Sequence, residues 1–557
     1  MQDYQIEQGA SVTGAPFLLR RWRHPDSWQI SATAIALLVS IPIMILMASL
    51  FTPDREIWAH LAEHLLAGLL LNSFLLVTGV SIVTLLLGVP LGWLTGMCEF
   101  PGRKFFSCAL LLPMALPSYV LAVVYLGILD FSGPVERVLK LLMPDSNGVI
   151  IGDIRNTPGI ISIISLSLYP YVYLLARTGF MTQGAQTIEA ARTLGCSNRQ
   201  AFFRVALPMS RPWIAGGLML VIMETLADFG AVAAFNYDTF TTGIYKAWYG
   251  FFSISAAAQL SSMLLLFVIA ILVIEQRMRS RMRFTGINKE KQKRIKLTGS
   301  RKAAAFFFCT IVFFLAFAVP VTQLLFWTKD TFEIEFGSRY LEITAKTLIL
   351  AAIASIITCM AALILSYTRR LHPGPVTGGI VKLATVGYGL PGSVLAVGFF
   401  IMLSQIDKSL IGLADTVFHI SIDPLFRNTI IVMLAGYLVR FLAPAYAALD
   451  SNMQRITPGL DDAARLAGLR GFTLLKRVHI PMLSQGVLVG TVLVFVDVMK
   501  ELPLTLMTRP FGWDTLAVKI FELTSEGEWE RAALPSLVLV LAGIIPVFLL
   551  IRSSSRT

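Results

Sequence analysis

Apolar runs long enough to cross a bilayer alternate with short polar stretches from one end of this 557-residue chain to the other. Crossing the hydrocarbon layer takes about 20 residues of helix. Twelve such runs are predicted, at about 31–51, 69–97, 106–130, 157–179, 213–236, 258–276, 303–327, 340–366, 378–403, 426–449, 484–508 and 533–551. The fifth and eleventh carry internal charges, and their matching positions in the two halves support them. In lipid the backbone must satisfy its own hydrogen bonds, so runs of this length are helices. The pattern predicts an all-α integral membrane protein of about twelve transmembrane helices, arranged as two homologous six-helix bundles.

The polar stretches carry a repeat. Glu189-Ala190-Ala191, Gly195 and Val205-Ala206-Leu207-Pro208 reappear as Asp462-Ala463-Ala464, Gly468 and Val478-His479-Ile480-Pro481. Leu116-Pro117-Ser118-Tyr119-Val120-Leu121-Ala122-Val123 likewise returns as Leu390-Pro391-Gly392-Ser393-Val394-Leu395-Ala396-Val397, and Asn72-Ser73 aligns with Lys346-Thr347. With six spans per half the copies share one topology, which is a parallel repeat. The expected divisions are a polar N-terminal segment (1–30), a first domain (31–276), a basic linker (277–302) and a second domain (303–557), with no room for a further soluble domain.

Each copy of the polar motif reads as two small helices joined at a glycine. Thr187 is placed to cap the first, with Glu189 in its first turn at the positive end of the dipole. Ala190 and Ala191 keep one face small. Gly195 suits a left-handed stop, Ser197 with Gln200 reads as a capping box for the second helix, and Pro208 closes it. In the second copy Thr457-Pro458 supplies the cap and first position, with Asp461 and Asp462 behind it.

Composition agrees with the bilayer: 55% hydrophobic, 14% charged, against roughly 25% charged in soluble domains. With a cytoplasmic N-terminus, about 31 of the 46 Lys and Arg residues lie inside and about 12 outside, the positive-inside bias. Both motif copies then face the cytoplasm, as do the C-terminus and the basic run Arg277–Lys302. That run accounts for much of the +12 net charge as a stretch beside anionic membrane lipid, without nucleic acid. No cleavable signal is visible; Arg20, Arg21 and Arg23 precede a first span expected to act as an uncleaved anchor. The five cysteines are scattered and indicate neither a disulfide framework nor a zinc site.

Two further groups carry candidate chemistry. Glu224 and Asp228 are four apart on one helix face, and the repeat maps them onto Asp497 and Glu501. Charge inside a span is costly and faces a cavity or a partner, so these four either line a translocation path or pair structurally with Lys500 or Arg440. His60-Leu61-Ala62-Glu63-His64 has the spacing of inverted zinc proteases, but nothing nearby nominates a third ligand, and a solvated helix face is the simpler reading. Gly88, Gly92 and Gly96 read as close helix contact. The scattered methionines read as packing.

The twin motif resembles the EAA loop of the permease subunits of bacterial ABC importers: Glu-Ala-Ala, three residues, Gly, nine residues, then aliphatic, any, aliphatic, Pro. Both copies match at full spacing, with Asp462 in place of Glu and His479 in the free position. The resemblance covers nearly the whole chain as two fused permease domains and implies the type I permease fold. It implies that Glu189, Ala190, Ala191, Gly195, Pro208, Asp462, Ala463, Ala464, Gly468 and Pro481 couple the chain to ATPase subunits. Met223-Glu224-Thr225-Leu226-Ala227-Asp228-Phe229-Gly230, Asp497-Val498-Met499-Lys500-Glu501-Leu502-Pro503 and Arg509-Pro510-Phe511 resemble the ferric-iron branch. Ferric iron is a hard cation that favours oxygen ligands, which suits Glu224, Asp228, Asp497 and Glu501.

The chain has no Gly-x-x-x-x-Gly-Lys-Ser/Thr loop, so ATP and Mg are expected on partners. These are two copies of an ABC ATPase subunit, together with an extracytoplasmic substrate-binding protein. Neither a cofactor nor a firm metal site is assigned to this chain. The expected role is a non-enzymatic transport subunit of the bacterial inner membrane. Thiamine, polyamines or another small solute are alternative cargoes, and an ATP-independent secondary transporter or a membrane metalloprotease are the readings from other classes.

Overall fold

The computed structural model describes residues 26–51, 55–131, 133–142, 152–279, 294–420, 423–426, 429–469 and 471–556. Most of the expected N-terminal segment, with Arg20, Arg21 and Arg23, and most of the basic linker lie outside them. Among the described residues ten helices are long and apolar enough to cross a membrane, and one further pair counts as an eleventh if taken as a broken span. That pair is the expected third span, 106–130. It is two segments, Arg103–Ala115 and Ser118–Ile128, bent by 92° at the junction.

The bend follows from Leu116-Pro117. Proline lacks an N–H and pushes the residue before it out of the helical region; Leu116 is extended, with φ −91° and ψ 118°. The second half repeats this at Leu390-Pro391, so the expected ninth span begins as the short helix Pro375–Ala384 and continues as Gly392–Leu413. The fifth and eleventh spans also break, at Asp228–Phe229 and Glu501–Leu502. The twelfth is the helix Ala533–Arg556, apolar over Ala533–Phe548.

In each half the second, fourth and fifth spans pack on one another: Leu66–Met97, Thr157–Thr193 and Leu207–Ala227, then Ser338–Leu371, Ile430–Met453 and Ile480–Lys500. Small residues let them approach. A Cβ at Gly88 would lie 2.8 Å from Val172 Cβ, and one at Gly92 2.9 Å from the Arg177 nitrogen, whereas Gly96 has ordinary contacts at 3.5 Å. The expected close helix contact therefore lies at Gly88 and Gly92.

The first span of each half reaches across to the other half. Ser27–Ser49 packs on Ser338–Leu371 and Gly392–Leu413, with the Trp28 carbonyl accepting from Thr368 Oγ1 at 3.1 Å. Val319–Glu335 packs on Ser118–Ile128, and Tyr125 Oη donates to the Leu315 carbonyl at 2.6 Å. At the end of the linker, Ile295–Lys296 forms a short parallel bridge with Cys98–Glu99, and Arg294 lies 3.8 Å from the Glu99 carboxylate.

Candidate functional site: two loops and a charged cavity

Both copies of the loop motif turn at their glycine in the same way. Gly195 has φ +88° and Gly468 φ +85°, the left-handed region that glycine enters without a Cβ penalty. Just past each stop, Cys196 N–H reaches the Ala191 carbonyl and Leu469 N–H the Ala464 carbonyl, both at 3.0 Å. These are the six-residue closures of a Schellman motif. The expected capping box is present: Ser197 N–H donates to Gln200 Oε1 at 2.9 Å and Gln200 N–H to Ser197 Oγ at 3.3 Å.

Two local expectations need correction. No helix begins at Thr187, because Thr157–Thr193 runs through it unbroken for 37 residues. The second copy does break, with Thr457 as N-cap and Pro458 first in the helix Pro458–Leu466. Proline forces that break, whereas the first copy has Gly184-Ala185, which permits helix. Nor do Pro208 and Pro481 close their helices. Each follows a π-helical turn, Phe202–Ala206 or Leu475–His479, and is the second residue of a span that continues to Ala227 or Lys500. A wider turn accommodates a residue that cannot donate to i−4.

The two loops are anchored differently. Ala191 (the side chains of Glu189 and Ala190 lie outside the described residues) belongs to an apolar cluster with Met97, Phe180, Ala201 and Ala206. There the Trp93 ring meets Phe180 at 5.3 Å and Phe202 at 4.7 Å. In the second loop Ala463 is exposed and Ala464 is 8% exposed. Asp462 is mostly exposed, 3.5 Å from Arg465, while its neighbour Asp461 is buried. Asp461 Oδ2 accepts from Arg370 Nε at 2.9 Å, and Oδ1 lies 2.8 Å from His479 Nε2.

Arg370 also donates to the carbonyls of Met453 and Ile456 at 3.0 Å and of Thr457 at 3.4 Å. His479 is buried and packs on Tyr367 at 5.5 Å. Burial by itself would raise the Asp461 carboxyl, but the hydrogen bonds and charges of Arg370 and His479 outweigh it and hold the group below its ordinary value. Sequence reasoning passed over Arg370 and the pairing. The available signals were a second acid beside Asp462 and a histidine in the free position of the motif.

The four intramembrane carboxylates share one cavity of about 200 Å³ with Arg440 and Lys500. They fall into two chemical classes. Asp228 and Glu501 sit at the span breaks and cap the short helices that follow. Asp228 accepts from Ser118 Oγ and from the Ala231 and Val232 N–H groups at 3.0 and 3.4 Å. Glu501 accepts from Leu504 N–H at 3.1 Å and from Thr505 N–H and Oγ1 at 3.0 Å, with Arg440 Nε 3.8 Å away. A carboxylate at a helix N-terminus satisfies orphan donors and the dipole together.

The partner residues complement the acid length. The shorter Asp228 is met by Ser118, whereas the longer Glu501 faces Gly392, where any Cβ would collide with its Oε1. Glu224 and Asp497 have neither hydrogen bond nor ion pair among the described residues and face the cavity. Lys500 Nζ donates to the Met114 carbonyl at 3.4 Å. A second cavity, of about 330 Å³, meets the first at Tyr119, Gly230 and Leu502. Among the described residues no group of three or more His, Cys, Asp or Glu side chains is placed to hold a metal ion, and the side chain of His60 lies outside them. All five cysteines are free thiols.

Residues 88–284, which contain the first loop and half of the cavity, match the family described as binding-protein-dependent transport system inner membrane component. Over 539 residues the chain is 26% identical to the Fe(3+)-transport system permease protein FbpB 2 of Haemophilus influenzae, covering 95% of this chain and 98% of that one. It is 25% identical over 199 residues to the molybdate/tungstate transport system permease protein WtpB of Pyrococcus abyssi, covering 36% of this chain and 72% of that one. To the sulfate transport system permease protein CysW of Escherichia coli it is 32% identical over 151 residues, 27% of this chain and 50% of that one. A match along the whole length to one permease, together with loop and cavity elements built twice, makes this chain a fused two-domain permease, the transmembrane component of a binding-protein-dependent ABC importer.

Proposed function

We propose that the cargo is ferric iron and that two ATPase subunits, carrying ATP and Mg, drive its import through the twin loops. The observation that carries the ferric reading is the match, along 95% of the chain, to a permease named for Fe(3+) transport. The cavity supports it: among the described residues Glu224 and Asp497 present carboxylate oxygens that make no direct hydrogen bond or ion pair, suited to transient contact with a hard cation. Asp228 and Glu501 line the same route from its capped edges. A binding protein delivers the cargo on the extracytoplasmic face. The positive-inside bias supports cytoplasmic termini and loops in a bacterial inner membrane. The working division is 31–276 and 303–557, joined by the 277–302 linker. Glu189, Ala190, Ala191, Gly195 and Pro208, with Asp462, Ala463, Ala464, Gly468 and Pro481, form the coupling surfaces.

The test is radioiron uptake by cells expressing the chain with its partner subunits. Uptake is expected to vanish on deletion of the ATPase and with Glu189→Lys combined with Asp462→Lys, while the protein remains in the membrane. Glu224→Gln and Asp497→Asn should each lower uptake about tenfold with normal expression, the equivalent of roughly 1.4 kcal/mol. Arg440 and Lys500 in the same cavity favour one second reading, an oxyanion cargo. Accumulation of molybdate or sulfate in place of radioiron would establish that reading and overturn the ferric one.

A further inference from the structure

The first loop is joined to its membrane span by an unbroken helix, Thr157–Thr193, so any displacement of the loop is carried into the bilayer by continuous backbone hydrogen bonds. The second loop lacks that link. Its span ends at Met453, the chain turns, and the loop helix starts afresh at Pro458. Arg370 lies across this gap. Its guanidinium donates to the Met453, Ile456 and Thr457 carbonyls on one side and to Asp461, in the first turn of the loop helix, on the other. Asp461 in turn bonds His479, at the entry to Ile480–Lys500. One cation therefore ties together the ends of three spans and the loop helix: Ser338–Leu371, which bears it, Ile430–Met453 and Ile480–Lys500. Arginine suits this task because its planar fork engages several acceptors at fixed angles.

The matching positions of the unbroken half are Gly96 for Arg370, Ile188 for Asp461 and Ala206 for His479. All three charged or polar members are missing together where the backbone is continuous, and all three are present where it is interrupted.

We propose that Arg370 and Asp461 are positioning residues that splint the broken helix, so that motion of the second loop reaches the cavity as a rigid displacement of the second-half spans. Those spans carry Arg440, Asp497 and Lys500 into the cavity, so a slack joint at Thr457-Pro458 would let the ATPase cycle without reshaping that wall. The proposal rests on the reading of the loops as ATPase docking elements.

The experiment uses the full chain assembled with its ATPase in proteoliposomes, with the five native cysteines changed to serine and Leu502→Cys placed where the two cavities meet. ATP hydrolysis and ATP-dependent labelling of that cysteine by an impermeant maleimide are read on the same sample, and neither needs the cargo. In Asp461→Asn and Arg370→Lys, hydrolysis should stay within about twofold of the parent while the ATP-dependent change in labelling falls by about fivefold or more. An undiminished labelling response in both variants overturns the splint. So does a parallel fall of hydrolysis and labelling, or failure of both variants to assemble, since either assigns the pair to structure alone. Failure of the docking premise appears separately, as ATPase association unaffected by Glu189→Lys combined with Asp462→Lys.

Discussion

The twin loops turn through the same glycine geometry yet are secured by opposite kinds of chemistry. Around the first, Trp93, Phe180 and Phe202 form an apolar wedge against Ala191 and Ala206. Around the second, the aligned residues Tyr367, Met453 and Leu475 leave room for a buried Arg370–Asp461–His479 network. Dispersion and apolar burial hold a continuous helix in place without directional demands. A helix interrupted by proline exposes carbonyls at the break, and here the Arg370 guanidinium adds donors to those that the turn's own N–H groups supply. Duplication has preserved the turn while each half solved its own backbone problem.

The largest test of this contrast is Arg370→Ala. It leaves Asp461 with His479 as its remaining partner and takes a donor from three carbonyls, and should lower unfolding stability by about 3 kcal/mol, read as a fall in thermal midpoint of the purified protein. An effect under 1 kcal/mol would mean that the second loop, like the first, is held by its apolar contacts.

The cavity caps offer a second comparison. Ser118→Ala removes a hydrogen bond to a carboxylate and should cost about 1.5–3 kcal/mol. Gly392→Ala, at the matching position, should cost about 1–3 kcal/mol for the opposite reason, overpacking against Glu501. If the pairing of acid length and neighbour is what matters, Ser118→Gly combined with Asp228→Glu should recover most of the loss, measured by the same melts.

Next come Gly195→Val and Gly468→Val. Nothing lies within 4 Å of a Cβ built at either position, so the penalty is purely that of the left-handed backbone, about 1–2 kcal/mol. It should be equal in the two halves by denaturation, and unequal only in coupled ATP hydrolysis. The smallest effect is expected for Thr457→Ala. Thr457 makes no side-chain cap bond, so the change should stay within about 0.5 kcal/mol.

What could be read in the sequence was what is local in it. The glycine stops and the Ser197–Gln200 box depend on residues three to six positions apart, and they appear where the spacing put them. The Leu-Pro bends were present in the letters, but hydropathy alone merged each with its neighbouring apolar run. The cap at Thr187 failed because Gly184-Ala185 does nothing to forbid helix, whereas proline at 458 does. Arg370 escaped notice because it is 91 residues from Asp461 along the chain. That Asp228 and Glu501 cap short helices while Glu224 and Asp497 do not could not be read from spacing, which shows which residues share a helix face but not where the helix ends.

The exchange of first spans sets an order of events in synthesis. Ser27–Ser49 is made well before the spans it packs on, and the Thr368 hydroxyl that bonds its Trp28 carbonyl is 340 residues downstream. At about 5–20 residues per second, that partner is roughly 20–70 s away. Until then the helix has only lipid and its own half for company. It suits such a wait, being apolar around its whole circumference, with no charged residue between Ser27 and Ser49. The late-arriving span Val319–Glu335, by contrast, finds Ser118–Ile128 already made. The nascent first half is thus a provisional structure, completed only when the second half folds around a helix made some 340 residues earlier.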